Sequence, residues 1–146
     1  MTRYERLEKL INDNGYKTFA EIGVRHAETS KYLSDKCGLT KLILVDKVKQ
    51  FDEVKNSQFY EMTSEEASTH IDNDSIDIVF IDADHSYDSV MSDIKAWIGQ
   101  VRKGGIISGH DYLNSAHRDV KRAVDEYFGE ARVCFDEDCY TWWVQL

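Results

Sequence analysis

Two carboxylates and a histidine close the apolar run Ile76-Asp77-Ile78-Val79-Phe80-Ile81-Asp82-Ala83-Asp84-His85-Ser86-Tyr87. Carboxylate and imidazole groups held together do two kinds of chemistry. A carboxylate can orient a ring that moves protons, or both can ligate a metal. A turn that merely caps the next helix needs one Asp, so an Asp-x-Asp-His cluster asks for more. A second pair, His110-Asp111, follows Gly104-Gly105-Ile106-Ile107-Ser108-Gly109. If the two apolar runs are neighbouring parallel strands, Asp82, His110 and Asp111 converge on one spot with His85 at its rim. That trio could hold a divalent ion with oxygen and imidazole ligands, or form a metal-free acid–base pair. Two adjacent carboxylates repel, so a cation of some kind belongs among them.

A third stretch, Glu21-Ile22-Gly23-Val24-Arg25-His26-Ala27, reads as a strand-to-helix turn. Gly23 lets a ligand come close to the backbone, and a helix start offers free N–H groups. The G-x-G-x-x-G pattern that seats a pyrophosphate is incomplete, because Arg25 and Ala27 stand at later positions. A ligand without a pyrophosphate suits this turn better. Asp46 ends the next apolar run, about twenty residues on, where a carboxylate binds a ribose diol or caps a helix. His26 could line the same pocket. His70 and His117 read as surface or capping residues, and Trp97, Trp142 and Trp143 as packing residues.

These groups need strands that end together. The apolar, β-branched run at 76–82 reads as a central parallel strand buried on both faces. Ligands bind at the carboxyl ends of such strands. Further strands are predicted at 17–23, 41–46, 58–60 and 106–109, with Lys103-Gly104-Gly105 as a turn. A final hairpin of 132–135 and 140–144 surrounds Asp136-Glu137-Asp138. Helices are predicted over 2–14, 27–37, from Thr63 or Ser64 to Ile71, 87–98 and 116–128, with one short turn within 47–56. The alternation predicts an α/β fold, a Rossmann-like doubly wound and mostly parallel sheet of five βα units. The C-terminal hairpin then adds one antiparallel strand at or near an edge.

The chain has 146 residues, suited to a single domain spanning 1–146. A net charge of −9 argues against nucleic acid as a partner, although Arg118, Lys121 and Arg122 could form a local basic patch. No apolar run is long enough to span a bilayer, and none at the start reads as a signal peptide. Cys37, Cys134 and Cys139 are odd in number and contain no C-x-x-C, which points to reduced thiols and a cytoplasmic location. The absence of proline has no functional explanation.

Together these stretches resemble the class I S-adenosylmethionine (SAM)-dependent methyltransferases. Within them the chain is similar to small O-methyltransferases of the catechol and caffeoyl-CoA kind and their bacterial relatives, over nearly all of Phe19 to Leu146. Glu21-Ile-Gly-Val-Arg-His-Ala-Glu-Thr-Ser resembles the first motif, E-[IL]-G-x-x-x-G-x-S, with Ala27 at the second glycine. The resemblance implies that Glu21, Gly23 and Arg25 surround the methionine end of the cofactor. It implies that Asp46 holds the ribose and that Thr63 and Ser64 approach the adenine, although Met62 replaces the usual preceding glycine. Phe-Ile-Asp82-Ala-Asp84-His85-Ser-Tyr resembles [IV]-D-A-D-K-x-x-Y. Asp82 then matches the metal- and cofactor-facing Asp, and His85 stands where the family has a Lys base. Gly104 to Tyr112 resembles G-G-x-[IL]-x-x-D-N, with His110-Asp111 replacing Asp-Asn. Asp82, His110 and Asp111 are the implied metal ligands, with His85, Asp82 and His110 the implied catalytic residues. A mixed imidazole–carboxylate set leaves magnesium, manganese, iron, zinc or no metal open.

The implied function is O-methylation of a small molecule or a sugar hydroxyl. The competing readings are a module that binds SAM or S-adenosylhomocysteine (SAH) without turnover, a nicotinamide enzyme, and a metal-dependent hydrolase using the Asp/His cluster. Only residues 1–14 precede the first strand, so the site would be open or roofed by a second copy. Tyr4, Leu7, Trp142 and Trp143 would offer apolar surface for such a homo-oligomer.

Overall fold

The computed structural model describes all residues, 1–146. The elements run α1 (Arg3–Asn14), β1 (Thr18–Ile22), α2 (Glu28–Lys36), β2 (Lys41–Asp46), β3 (Ser57–Glu61), α3 (Ser64–Ser68), β4 (Ile76–Ile81), α4 (Tyr87–Trp97), β5 (Val101–Gly109), α5 (Arg118–Phe128), β6 (Cys134–Asp136) and β7 (Thr141–Gln145). The seven strands form one sheet in the order β3-β2-β1-β4-β5-β7-β6. β1 to β5 pair in parallel, and β7 is antiparallel to both β5 and β6. The chain steps one way from β1 to β3, then returns to β4 on the other side of β1. That reversal is the point where doubly wound sheets open a crevice.

Local chemistry explains the boundaries. Thr2 and Glu5 form a reciprocal cap at the start of α1, and Gly15, at φ 67°, closes its end onto the Asn12 and Ile11 carbonyls. Leu7, Leu10 and Ile11 recur at helical spacing and are buried. They pack with Phe19, Leu33, Leu42, Ile78 and Phe80 on one face of the sheet. The other face is filled by Ile43, Val79 and Ile107 beneath Val90, Ile94 and Trp97 of α4 and Val120, Ala123 and Val124 of α5. β4 is therefore covered on both sides, as a central parallel strand must be.

The structure departs from the sequence reading in four places. Residues 47–56 contain no helical turn, so β2 passes to β3 without a helix. Four strands rather than five are consequently followed by one. Lys103-Gly104-Gly105 is not a turn but part of β5, where the pairing with β4 shifts register between Ile76 and Ile78. Two glycines read as a turn in sequence, yet Gly105 is needed because a Cβ there would lie 2.6 Å from the Asp77 carbonyl oxygen. α5 starts at Arg118, after a 3-10 turn over Ser115–His117. The hairpin strands begin later than read, β6 following another 3-10 turn over Glu130–Arg132. The antiparallel strand β7 lies near the edge, as read, with β6 outside it.

The apolar surface expected for self-association is also revised. Leu7 and Trp142 are core residues, at 0% and 1% exposure. Tyr4 stacks on Tyr32, and Trp143 lies beneath the Arg6 guanidinium.

Candidate active site

β1, β4 and β5 end side by side, held by a ladder that continues past the strands. The Gly23 N–H donates to the Val45 carbonyl, the Asp82 N–H to Ile22, and the His110 N–H to Ile81. Asp82, His110 and Asp111 are thus brought to one rim. Gly23, at φ 89°, is required by a close backbone contact. A Cβ there would meet the Asp82 carbonyl and lie 2.7 Å from the Ala83 Cα. The first turn and the end of β4 are locked backbone to backbone.

The Asp111 carboxylate is the hub of this rim. Its Oδ2 lies 2.7 Å from His85 Nε2 and 3.3 Å from His110 Nδ1. Its Oδ1 accepts from Asn114 Nδ2 at 2.9 Å. Burial pushes this carboxyl up, but hydrogen bonds from His110 and Asn114, with positive charge on His110 and His85, outweigh it. Asp111 is held well below the usual carboxylate range. Its backbone sits at φ 63°, a left-handed conformation Asp tolerates better than most residues. Asp82 Oδ1 lies 3.7 Å from His85 Nε2 and 3.8 Å from His110 Nδ1. Asp82, His85, His110 and Asp111 therefore form one group.

Three contacts were not foreseen from sequence. Arg3, in the first turn of α1, reaches Asp82 Oδ2 at 3.2 Å. Its Nε is buried without a partner. α1 thus contributes a side chain to the rim. His117, read as a surface or capping residue, stands at the N-cap position of α5, and its ring stacks on His85 with centroids 4.0 Å apart. Asn114 steadies Asp111. The three-residue spacing of Asp111 and Asn114 is a local side-chain signal that could have been read. Nothing in the spacing of Arg3 or His117 announces either contact. Asp84 moves the other way: it is exposed, and its Oδ1 accepts from the Ser86 N–H at 2.8 Å at the head of α4. That hydrogen bond holds its carboxyl below the usual range.

The first motif is folded tightly. The Glu21 carboxyl is buried and accepts from the Ser30 hydroxyl. Burial pushes it up to about 8, so it is protonated at neutral pH. Asp46 Oδ2 accepts from the Val24 and Arg25 N–H groups, both at 2.9 Å, and Oδ1 from Lys47 N–H at 2.7 Å. The carboxylate thus shapes the turn between β1 and α2. Arg25 and His26 are exposed, and His26 Nδ1 lies 3.2 Å from the Gln50 carbonyl. Ala27 precedes α2 at φ 59°, which explains the preference for glycine at that position in the resembling motif. Thr63 caps α3, accepting from Glu66 N–H at 3.2 Å, and Ser64 Oγ accepts from Trp97 Nε1 at 2.9 Å. Gly23, Asp46 and the Thr63-Ser64 cap follow β1, β2 and β3, three adjacent strands, and so share one end of the sheet with Asp82.

An open depression of about 520 Å³ adjoins the rim, lined by Asp84, His85, Ser86, His117, Arg118 and Asp119 among others. A depression of similar size between α3 and α4 touches none of the strand-end residues. The expected basic patch is largely neutralised. Lys121 pairs with Asp125 and Glu130, and Arg122 with Asp119. No helix is long and apolar enough to cross a membrane. The three cysteines are free thiols.

Comparison with known proteins bears on the family and the fold. No curated protein sequence matches the chain. Among solved structures, an O-methyltransferase from Bacillus cereus in complex with SAH superposes with a TM-score of 0.70 at 14% identity, covering 99% of this chain and 80% of that one. The O-methyltransferase TomG from Streptomyces achromogenes, involved in tomaymycin synthesis and solved with SAM, gives 0.74 at 14% identity, covering 98% and 79%. CalS11, a TDP-rhamnose 3'-O-methyltransferase of calicheamicin biosynthesis, gives 0.73 at 13% identity, covering 97% and 76%. At such identities the likeness concerns the fold. The methyltransferase domain family profile matches residues 7–112, well over half of the chain. The chain belongs to the methyltransferase domain family, and its sheet is that of the class I SAM-dependent methyltransferases.

Proposed function

We propose that this chain transfers the methyl group of SAM to a hydroxyl of a small molecule or sugar. The observation that carries the proposal is the His85–Asp111 contact of 2.7 Å at the ends of β4 and β5, beside the Gly23 turn. SAM supplies an electrophilic methyl on a positively charged sulfur, and transfer makes an O–CH₃ bond as the S–CH₃ bond breaks. The protein's part is to orient the acceptor and remove its proton. His85 takes that proton. Asp111 fixes the ring and balances its charge, and Asn114 holds Asp111 in turn. Asp82 and His110 place further charge and hydrogen bonding beside the reacting centre. Glu21, Gly23 and Arg25 line the methionine end, Asp46 the ribose side, and Thr63 and Ser64 the adenine side.

Asp82, His110 and Asp111 fit a divalent ion, since their ligand atoms all lie within 4.8 Å of one another. Two carboxylates and an imidazole suit Mn²⁺ better than Mg²⁺, which prefers an all-oxygen shell. Such an ion would balance the two acids and polarise the acceptor oxygen. It would share Asp82 with Arg3. Three free thiols support a cytoplasmic location.

The test is transfer of labelled methyl from SAM to a panel of phenols, catechols and glycosides, with SAH calorimetry in parallel. Labelled ether products with SAH affinity support the proposal. SAH binding without any labelled product favours the module without turnover, and absence of both removes SAM chemistry.

A further inference from the structure

His117 is absent from every motif of the resemblance, yet it sits in one of the two possible ligand clusters of the molecule. His85, Asp111 and His117 offer ligand atoms that all lie within 4.8 Å of one another. They come from three separate places: the loop after β4, the end of β5, and the 3-10 turn before α5. The two rings stack at 4.0 Å with an interplanar angle of 21°. His85 Nε2 lies 2.7 Å from Asp111 Oδ2, but it is a buried nitrogen without a properly aligned hydrogen bond. Its lone pair or proton is therefore poorly satisfied by the protein alone.

We infer that His85, Asp111 and His117 form a binding site for a borderline first-row ion such as Zn²⁺ or Co²⁺. Two imidazoles and one carboxylate are the donor set these ions take, with a fourth position left to water. Ligand bonds of about 2.1 Å put tetrahedral donors roughly 3.4 Å apart, so modest side-chain movement closes the cluster. The open depression bordered by His85 and His117 gives a hydrated ion its entry path. This site is distinct from the Asp82, His110 and Asp111 group, with which it shares Asp111 only. Because it takes His85, the proton acceptor, a bound ion would switch methyl transfer off.

The site does not depend on the methyltransferase reading, so its test contains neither SAM nor acceptor. Co²⁺ is titrated into chelator-stripped protein and followed by its visible d–d absorption, then displaced with Zn²⁺. One equivalent is expected to saturate the bands. His117→Ala and His117→Gln are each expected to weaken Co²⁺ binding at least about tenfold. Asp82→Asn removes a charge 3.7 Å from His85 Nε2 but no ligand of this set, so it is expected to weaken Co²⁺ binding clearly less than either His117 variant. Circular dichroism verifies that each variant is folded. The inference is overturned if wild-type protein shows no bands. It is equally overturned if both His117 variants bind as wild type, or if Asp82→Asn alone abolishes binding, which would put the ion in the inner group.

Discussion

Asp111 is the residue on which the rim depends, because it touches His85, His110 and Asn114 at once. Asp111→Asn keeps the size of the side chain but removes the charge that orients His85. It is expected to lower labelled-methyl transfer by about 10²–10⁴, the range that general-base assistance supplies, while SAH affinity measured by calorimetry stays near wild type. Glu21 makes a different, pH-linked demand. Its folded pKa is raised, to about 8, above the ordinary carboxyl value of 4.5. In that interval the native state holds a proton that the unfolded chain has lost. The contribution is therefore complete below about pH 4.5 and disappears as pH rises through about 8. Denaturant midpoints measured between pH 5 and 8 should fall with rising pH, and Glu21→Gln should flatten that slope. Asp111 has the opposite sign: its lowered pKa stabilises above the ordinary carboxyl range and is lost on acidification.

At the scale of elements, the site is a matter of how strand ends meet. Gly23→Ala places a methyl against the Asp82–Ala83 backbone and imposes a left-handed φ on a residue with a side chain. It should destabilise the fold by at least about 2 kcal/mol, read from urea unfolding, and should weaken SAH binding as well. α1 contributes through Arg3. With Arg3→Ala, Asp82 loses its cation and faces a cofactor sulfonium alone. The ratio of SAM to SAH affinity, measured by parallel calorimetry, is expected to rise severalfold, since only SAM carries the positive sulfur. An unchanged ratio would mean that Arg3 does not neighbour the sulfur.

Much of this geometry was legible in the sequence for plain reasons. β4 announces itself by a continuous apolar run, and parallel strands point their carboxyl ends the same way, so Asp82 had to meet His110 and Asp111. Long-range partners supplied by loops and helix starts have no such periodicity. Arg3 reads as an ordinary polar residue of an amphipathic helix, and His117 reaches His85 only because the 3-10 turn folds the loop back. The same limit misplaced Gly104-Gly105, where local turn chemistry was overruled by a close approach between strands.

For the whole molecule, the burial of Leu7 and Trp142 removes much of the apolar surface that had suggested self-association. Light scattering at micromolar concentration is expected to return the mass of one chain, 16.9 kDa. A stable mass of twice that would show that other surfaces pair copies. Trp97, finally, has a use beyond packing. Trp97 ends α4, its indole is fully buried, and its N–H donates to Ser64 at the cap of α3, on the side proposed for the adenine. Indole fluorescence responds to the polarity and hydrogen bonding around the ring, so adenosyl binding at Ser64 should change the emission of the unlabelled protein. Trp142 lies in the sheet core and Trp143 against Arg6. Neither touches that cap, so the spectral change should vanish in Trp97→Phe, giving a label-free optical titration of the nucleoside end of the site.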